Sequence, residues 1–94
     1  MKPGTQIAYV PDHADGDVTH GDVEYGFVTS EKTEAGIHFC RYWVKGQPGV
    51  MRTRANSEAT PNRNLVERKS VLDSEVEFFL RAIRAEEQAL AHGQ

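Results

Sequence analysis

Four aspartates and two histidines lie within the twelve residues PDHADGDVTHGD, at positions 11–22. Carboxylate oxygens and imidazole nitrogens are common ligands of divalent metal ions. The spacing does not fit a calcium loop, because counting from Asp15 puts Thr19 at the fifth position and no glutamate at the twelfth. His13 and His20 are seven residues apart, and no helix is predicted to align them. We therefore expect a solvated loop, with no metal site and no cofactor.

A thiol and a nearby imidazole form the second set of candidates for chemistry. In a strand over residues 37–44, alternation puts His38 and Cys40 on one face, where they could pair as base and nucleophile. A buried free cysteine is common in protein cores, and no acid, oxyanion motif or activating helix end accompanies this pair. A single cysteine also excludes an internal disulfide and a cysteine-rich zinc site. We predict no catalytic residues and no enzymatic activity.

The opposite face of the same strand carries aromatic and basic side chains, namely Phe39, Arg41 and Trp43. Tyr25 and Phe27 are expected beside them on the neighbouring strand. Such a mixture is typical of hot spots for protein partners and of stacking platforms for single-stranded nucleic acid, and the sequence leaves both open. Together with the acidic loop and a predicted hairpin, the candidate binding residues are Arg41, Trp43, Lys45, Arg52, Arg54, Asp15 and Asp17.

The C-terminal segment predicts an amphipathic helix over residues 73–92. Its apolar stripe is Val76, Phe79, Leu80 and Ile83, at the spacing of one helix face. Three placements of this stripe are compatible with the sequence. Packing over the aromatic face would bury both apolar surfaces at once, and we favour it. The aromatic face could instead stay open to a partner, or the stripe could pair across a homodimer axis.

Five short strands are predicted before this helix, at residues 5–10, 23–30, 37–44, 50–57 and 65–72. The longest connection is the acidic loop, and the others are tight turns or a helical turn. Gly26 lies inside the second strand, where glycine marks a bulge, a bend or a close backbone approach. The order favours a mainly β fold, a small five-stranded barrel over residues 1–72 followed by the helix over residues 73–92, as a single domain overall.

Length and charge restrict the functional class. A chain of 94 residues forms one small domain, and its 38% apolar and 27% charged content is typical of a folded globular protein. Neither a membrane span nor a signal peptide is predicted, so we expect a reducing cytoplasm. Net charge is −5 over residues 1–40, +5 over residues 41–69 and −3 over residues 70–94. The isoelectric point near 5.7 argues against a dedicated nucleic-acid binder.

The order of strands and loops resembles the SH3-like barrels, including the Tudor and KOW modules. The segments that carry this resemblance are GTQIAYV, YGFVTS, HFCRYW, RTRANS and NLV. The chain also resembles small proteins of tailed phages and prophages that share the layout YVP…H…VEYGFV…RYW…ANSE…NLV. The resemblance implies a phage-borne accessory protein in the host cytoplasm, and it supplies no catalytic residues.

These observations predict a non-enzymatic interaction module that docks on a host or phage protein. The acidic loop and the hairpin over residues 45–49 are the expected contact edge, because loops at one end of a barrel carry recognition. The alternative is a nucleic-acid-binding barrel that uses Arg41, Trp43, Arg52 and Arg54.

Overall fold

The structure is a computed structural model that describes residues 1–32, 35–52 and 57–92, except for the side chains of Lys32 and His92. Arg54, one of the predicted binding residues, lies outside the described residues. The elements in chain order are β1 (Gln6–Tyr9), a 3-10 turn (Asp12–Ala14), β2 (Glu24–Lys32), β3 (Ile37–Val44), β4 (Gln47–Met51), β5 (Glu58–Pro61), a second 3-10 turn (Asn62–Asn64), β6 (Leu65–Glu67) and α1 (Asp73–His92). The predicted mainly β fold with one C-terminal helix is confirmed.

The strands form one antiparallel sheet in the order β4-β3-β2-β1-β6, and β5 pairs with β3 beside this path. The long strand β3 pairs with β2 along one edge and with two strands along the other, since its first half pairs with β5 and its last two residues pair with β4. Within the described residues, no pairing joins β6 to β4 or β5, so the sheet stays open. The described part of the chain therefore has six strands in an open sheet, where five strands in a barrel were predicted.

The fourth predicted strand, at residues 50–57, is placed differently in the structure. Strand β4 begins earlier, at Gln47, and β5 is a separate strand that the sequence did not predict. The hairpin loop is only the two-residue turn Lys45–Gly46, where Gly46 has a φ of 75°. Pro48 is tolerated within β4 because an edge strand leaves part of its backbone N–H groups unpaired. The last predicted strand shortens to Leu65–Glu67.

One face of the sheet carries the first core cluster. Cys40 and Tyr42 of β3 pack there with Ile7, Val28 and Leu65, and all five side chains are buried. Alternation along β3 predicted this face, and the placement of Cys40 beside Tyr42 is confirmed. Val28 lies directly opposite Cys40 in the pairing of β2 with β3.

The other face of the sheet is covered by α1. Val76, Leu80 and Ile83 pack on Phe27 and Trp43, and all five are at least nine-tenths buried. The predicted packing of the helix over the aromatic face is confirmed, and the alternative of an open aromatic face is wrong. The same packing occupies the apolar stripe that a homodimer through α1 would need.

Gln6 joins the start of β1 to the segment that leads into α1, although its side chain is an amide in a buried position. Its Oε1 accepts hydrogen bonds from the backbone N–H groups of Ser70 and Val71, at 3.0 and 3.1 Å. Its Nε2 donates to the carbonyl of Val71 and to Oδ1 of Asp73, both at 2.9 Å. These four bonds satisfy the buried amide and fix where α1 begins.

Replacing this amide by an apolar group of similar size should destabilise the protein. We expect Gln6→Leu to lower the free energy of unfolding by about 2–3 kcal/mol, because two partly buried backbone N–H groups lose their acceptor. Urea denaturation followed by circular dichroism measures this loss. Gln47→Leu is the matched control, since Gln47 is exposed on β4 and should shift stability by no more than about 0.5 kcal/mol. Equal losses in both variants would contradict the role of Gln6.

Candidate functional site

A cavity of about 260 Å³ opens between the start of β2 and the β3–β4 turn. Its apolar lining comes from Val23, Tyr25, Val44 and Pro48, with a contribution from Trp43. The cavity lies where the acidic loop returns to the sheet and meets the hairpin. The two segments predicted to form the contact edge therefore lie next to each other. We refer to this cavity as the hairpin cavity.

Three charged side chains also line the hairpin cavity, namely Glu24, Lys45 and Arg52. The guanidinium of Arg52 forms ion pairs with Glu24 and Glu58, and it lies over the Tyr42 ring at 5.3 Å from the centroid. These contacts hold Arg52 in one place. Lys45, by contrast, is exposed and forms no ion pair within the part of the chain that the structure describes. Its ammonium group is near enough to the acidic loop to help lower the pKa of Asp22, after the larger effect of His13, and it remains exposed to an acidic partner.

The two aspartates predicted as binding residues lie in the acidic loop, outside the hairpin cavity. Asp15 is exposed and has a φ of 54°, which is the left-handed conformation that aspartate tolerates in turns. Asp17 accepts hydrogen bonds at its Oδ1 from the backbone N–H and the hydroxyl of Thr19, at 2.9 and 2.6 Å. The same bonds lower the pKa of Asp17. The Asp15 backbone and the Asp17 side chain therefore shape the turns of the loop.

Arg41 and Trp43 do not present an exposed face. Trp43 is 3% exposed, its Nε1 donates to Oγ of Ser70 at 3.1 Å, and its ring contacts Phe79 with centroids 5.5 Å apart. Arg41 is buried as well. Bases cannot stack on Trp43 while α1 covers it, so among the described residues Arg41 and Trp43 form no exposed platform.

Asn64 anchors the acidic loop to the sheet, a role that its position in a polar turn did not predict. Its buried Nδ2 donates to the carbonyl of Val10 at 3.0 Å and to Oδ1 of Asp12 at 2.7 Å. This bond and the nearby Arg63 guanidinium lower the pKa of Asp12. Ala14 is buried further along the loop, so the loop is packed against the body of the protein.

The acidic loop also brings His13, His20 and Asp22 together. The two imidazole rings are 5.3 Å apart between centroids, and Nε2 of His13 lies 2.7 Å from Oδ2 of Asp22. No helix aligns the two histidines, as the sequence indicated. Instead, the left-handed Asp15 and Gly16 and the turns that follow them bring the two rings together.

Cys40 and His38 do not form a nucleophilic site in this structure. Burial raises the pKa of the Cys40 thiol to about 11, so the thiol stays protonated at neutral pH. The His38 ring is 4% exposed and is held by Asn62 at Nδ1 and by Glu31 at Nε2. A substrate could reach neither group without opening the core.

Comparison with known proteins does not identify a family. No family model matches the chain, and no curated protein and no solved structure matches it. Among the described residues, no helix is long and apolar enough to cross a membrane.

Proposed function

We propose that the protein is a non-enzymatic interaction module that docks a partner protein at the hairpin cavity. The observation that carries this proposal is the mostly apolar lining of the cavity beside the exposed Lys45. Binding energy in protein interfaces concentrates where an anchor side chain fills such a pocket. Most of the apolar lining comes from strand residues, namely Tyr25, Trp43, Val44 and Pro48. These walls are ordered before a partner arrives, which lowers the entropy cost of binding.

The size and charge of the hairpin cavity indicate what would bind there. Its volume of about 260 Å³ is below the roughly 300–1,000 Å³ of typical small-molecule sites. It therefore suits one apolar or aromatic side chain of a protein segment better than a cofactor. An acidic residue next to that anchor would pair with Lys45. The ion pair of Arg52 with Glu24 would form part of the polar rim that surrounds a buried anchor.

We further infer an SH3-like architecture of the accessory type found in tailed phages and prophages. The long loop after β1, the 3-10 turn before β6 and the position of β1 between β2 and β6 support the SH3-like part of this inference. The phage part has only the layout of the sequence in its support. On this inference the partner is a host or phage protein, and the module acts in the host cytoplasm.

Nucleic-acid binding is less well supported. Of the basic residues between 41 and 69, Arg52, Arg63 and Lys69 pair with acids from other parts of the chain. Such pairing neutralises the charge that phosphates would need to meet. Nucleic-acid binding is therefore the second outcome that the test below must distinguish.

Affinity capture from host lysate, with and without nuclease, tests the docking proposal. We expect one partner protein that survives nuclease and whose yield falls at least tenfold in Val44→Gln, because a polar side chain then enters the apolar lining. Val50→Gln is the matched control on the next strand, since Val50 is exposed and does not line the hairpin cavity. Circular dichroism should show both variants folded.

Two results would overturn the docking proposal. Equal capture by Val44→Gln and by the wild-type protein would mean that the hairpin cavity is not the contact. Capture that disappears with nuclease, or that falls steeply with salt, would indicate that the protein binds nucleic acid instead. Lys45→Glu tests the role of charge. Reversing this charge should weaken the binding of an acidic partner and leave the fold intact.

A further inference from the structure

The His13, His20 and Asp22 cluster has a donor set that the docking function does not use. One ligand atom from each of the three side chains lies within 4.8 Å of the other two. The side chains of His13 and Asp22 are 62% and 57% exposed, so an ion from solvent could reach them without an opening motion. We propose that this cluster binds a divalent transition-metal ion, with Zn²⁺ as the ion of choice.

The backbone of the acidic loop is ordered enough to hold such a site. Successive turns are closed by hydrogen bonds from the N–H of Asp17 to the carbonyl of Ala14, from His20 to Asp17 and from Val23 to His20, at 3.0, 3.1 and 3.1 Å. The phenol of Tyr25 donates to the carbonyl of Val18 at 3.1 Å and ties the middle of the loop to β2. The three ligand side chains thus project from a folded loop.

The donor types select the class of metal. Two imidazole nitrogens and one carboxylate oxygen suit zinc and its first-row neighbours, whereas Ca²⁺ and Mg²⁺ prefer oxygen ligands throughout. Three protein ligands leave a fourth position of a zinc tetrahedron for water. Zinc bonds of about 2.0–2.2 Å put neighbouring ligand atoms roughly 3.4 Å apart. The present spacing brackets this value, because Nε2 of His13 and Oδ2 of Asp22 are 2.7 Å apart and the ligand atoms of the cluster lie within 4.8 Å of one another. Rotation of the three side chains would bring the ligand atoms to the zinc spacing.

The hydrogen bonds of the cluster define what the ion replaces. The Asp22 backbone N–H donates to Nδ1 of His20 at 3.0 Å, so this nitrogen carries a lone pair. His13 bonds Asp22 at 2.7 Å through Nε2, and this contact lowers the pKa of the Asp22 carboxyl. A metal ion would take the place of the proton shared by His13 and Asp22. The ion would also bind the lone pair on Nδ1 of His20, which now accepts the hydrogen bond from the Asp22 amide. That amide N–H would then donate to water.

Titration of the full chain with Zn²⁺, in competition with a chromophoric chelator, tests the proposal. We expect one equivalent of Zn²⁺ to bind, and the affinity to fall at least tenfold in His13→Asn and in His20→Asn. Asparagine at position 20 keeps a side-chain acceptor for the turn while it removes the imidazole. Asp15→Asn is the matched control, because it removes one charge from the same loop outside the cluster and tolerates the left-handed backbone.

Imidazole nitrogen chemical shifts supply a second measurement. One equivalent of Zn²⁺ should shift the ring signals of His13 and His20. It should leave those of His38 unchanged, because Asn62 and Glu31 already contact the two nitrogens of this buried ring. Binding that Asp15→Asn weakens as much as His13→Asn would reveal only diffuse attraction of cations to an acidic loop, and it would overturn the proposal. Absence of a one-to-one complex would do the same.

Discussion

Trp43→Ala is expected to lower the free energy of unfolding by about 3–5 kcal/mol, which is the usual cost of removing a large buried aromatic side chain. The ring lies between the sheet and α1, where it contacts Phe27 and Phe79 with centroids 5.4 and 5.5 Å apart. The variant would also lose the bond from Nε1 to Ser70. A domain of this size has a total stability of about 5–15 kcal/mol, so much of the variant could be unfolded at 37 °C. Urea denaturation followed by circular dichroism measures the loss.

Phe78→Ala is the control for this experiment, because Phe78 precedes Phe79 on α1 but is 68% exposed. We expect it to change the free energy of unfolding by no more than about 0.5 kcal/mol. If Trp43→Ala instead unfolded at the same urea concentration as the wild-type protein, α1 would not be packed on the sheet in solution. The aromatic face would then be open to a partner, and the hypothesis that nucleic acid binds a basic and aromatic platform would be supported.

Strand β3 shows how far the sequence could predict the fold. Its alternation separates Cys40 and Tyr42 from Phe39 and Trp43, and the structure buries side chains on both faces. The period of α1 predicted which of its residues would cover Trp43. These predictions worked because strand and helix periods are local properties of the chain, and because a small domain has few apolar surfaces to pair.

The parts that the sequence could not predict depend on contacts between distant residues. Gln6 and Asn64 resemble surface amides in the sequence, and only their partners at positions 70–73 and 10–12 give them structural roles. The meeting of His13 with Asp22 depends on the exact turns of the loop, which a spacing rule does not specify. The hairpin cavity was missed as a cavity, although the acidic loop and hairpin beside it were expected to form a contact edge.

Gly26 is a case in which the sequence offered several explanations and the structure selects one. A bulge, a bend and a close backbone approach were all compatible with glycine inside β2. The bulge lies elsewhere, since the pairing of β2 with β3 shifts between Val28 and Ser30. At Gly26 the backbone of β3 itself is close, and a Cβ there would collide with the Arg41 carbonyl oxygen and lie 2.8 Å from Cα of Tyr42.

We therefore expect Gly26→Ala to cost at least about 3 kcal/mol, at or above the upper end of the usual cost of overpacking. The atoms that the new methyl group meets belong to the backbone, so no flexible side chain can move aside, and β2 and β3 must separate where Tyr42 enters the core. Gly21→Ala is the matched control, because a Cβ at Gly21 would have no atom within 4 Å. Urea denaturation of both variants measures the difference. If Gly26→Ala kept wild-type stability, β2 and β3 could not pair in the register that puts Gly26 opposite Tyr42, and the hairpin cavity that rests on this pairing would have a different shape.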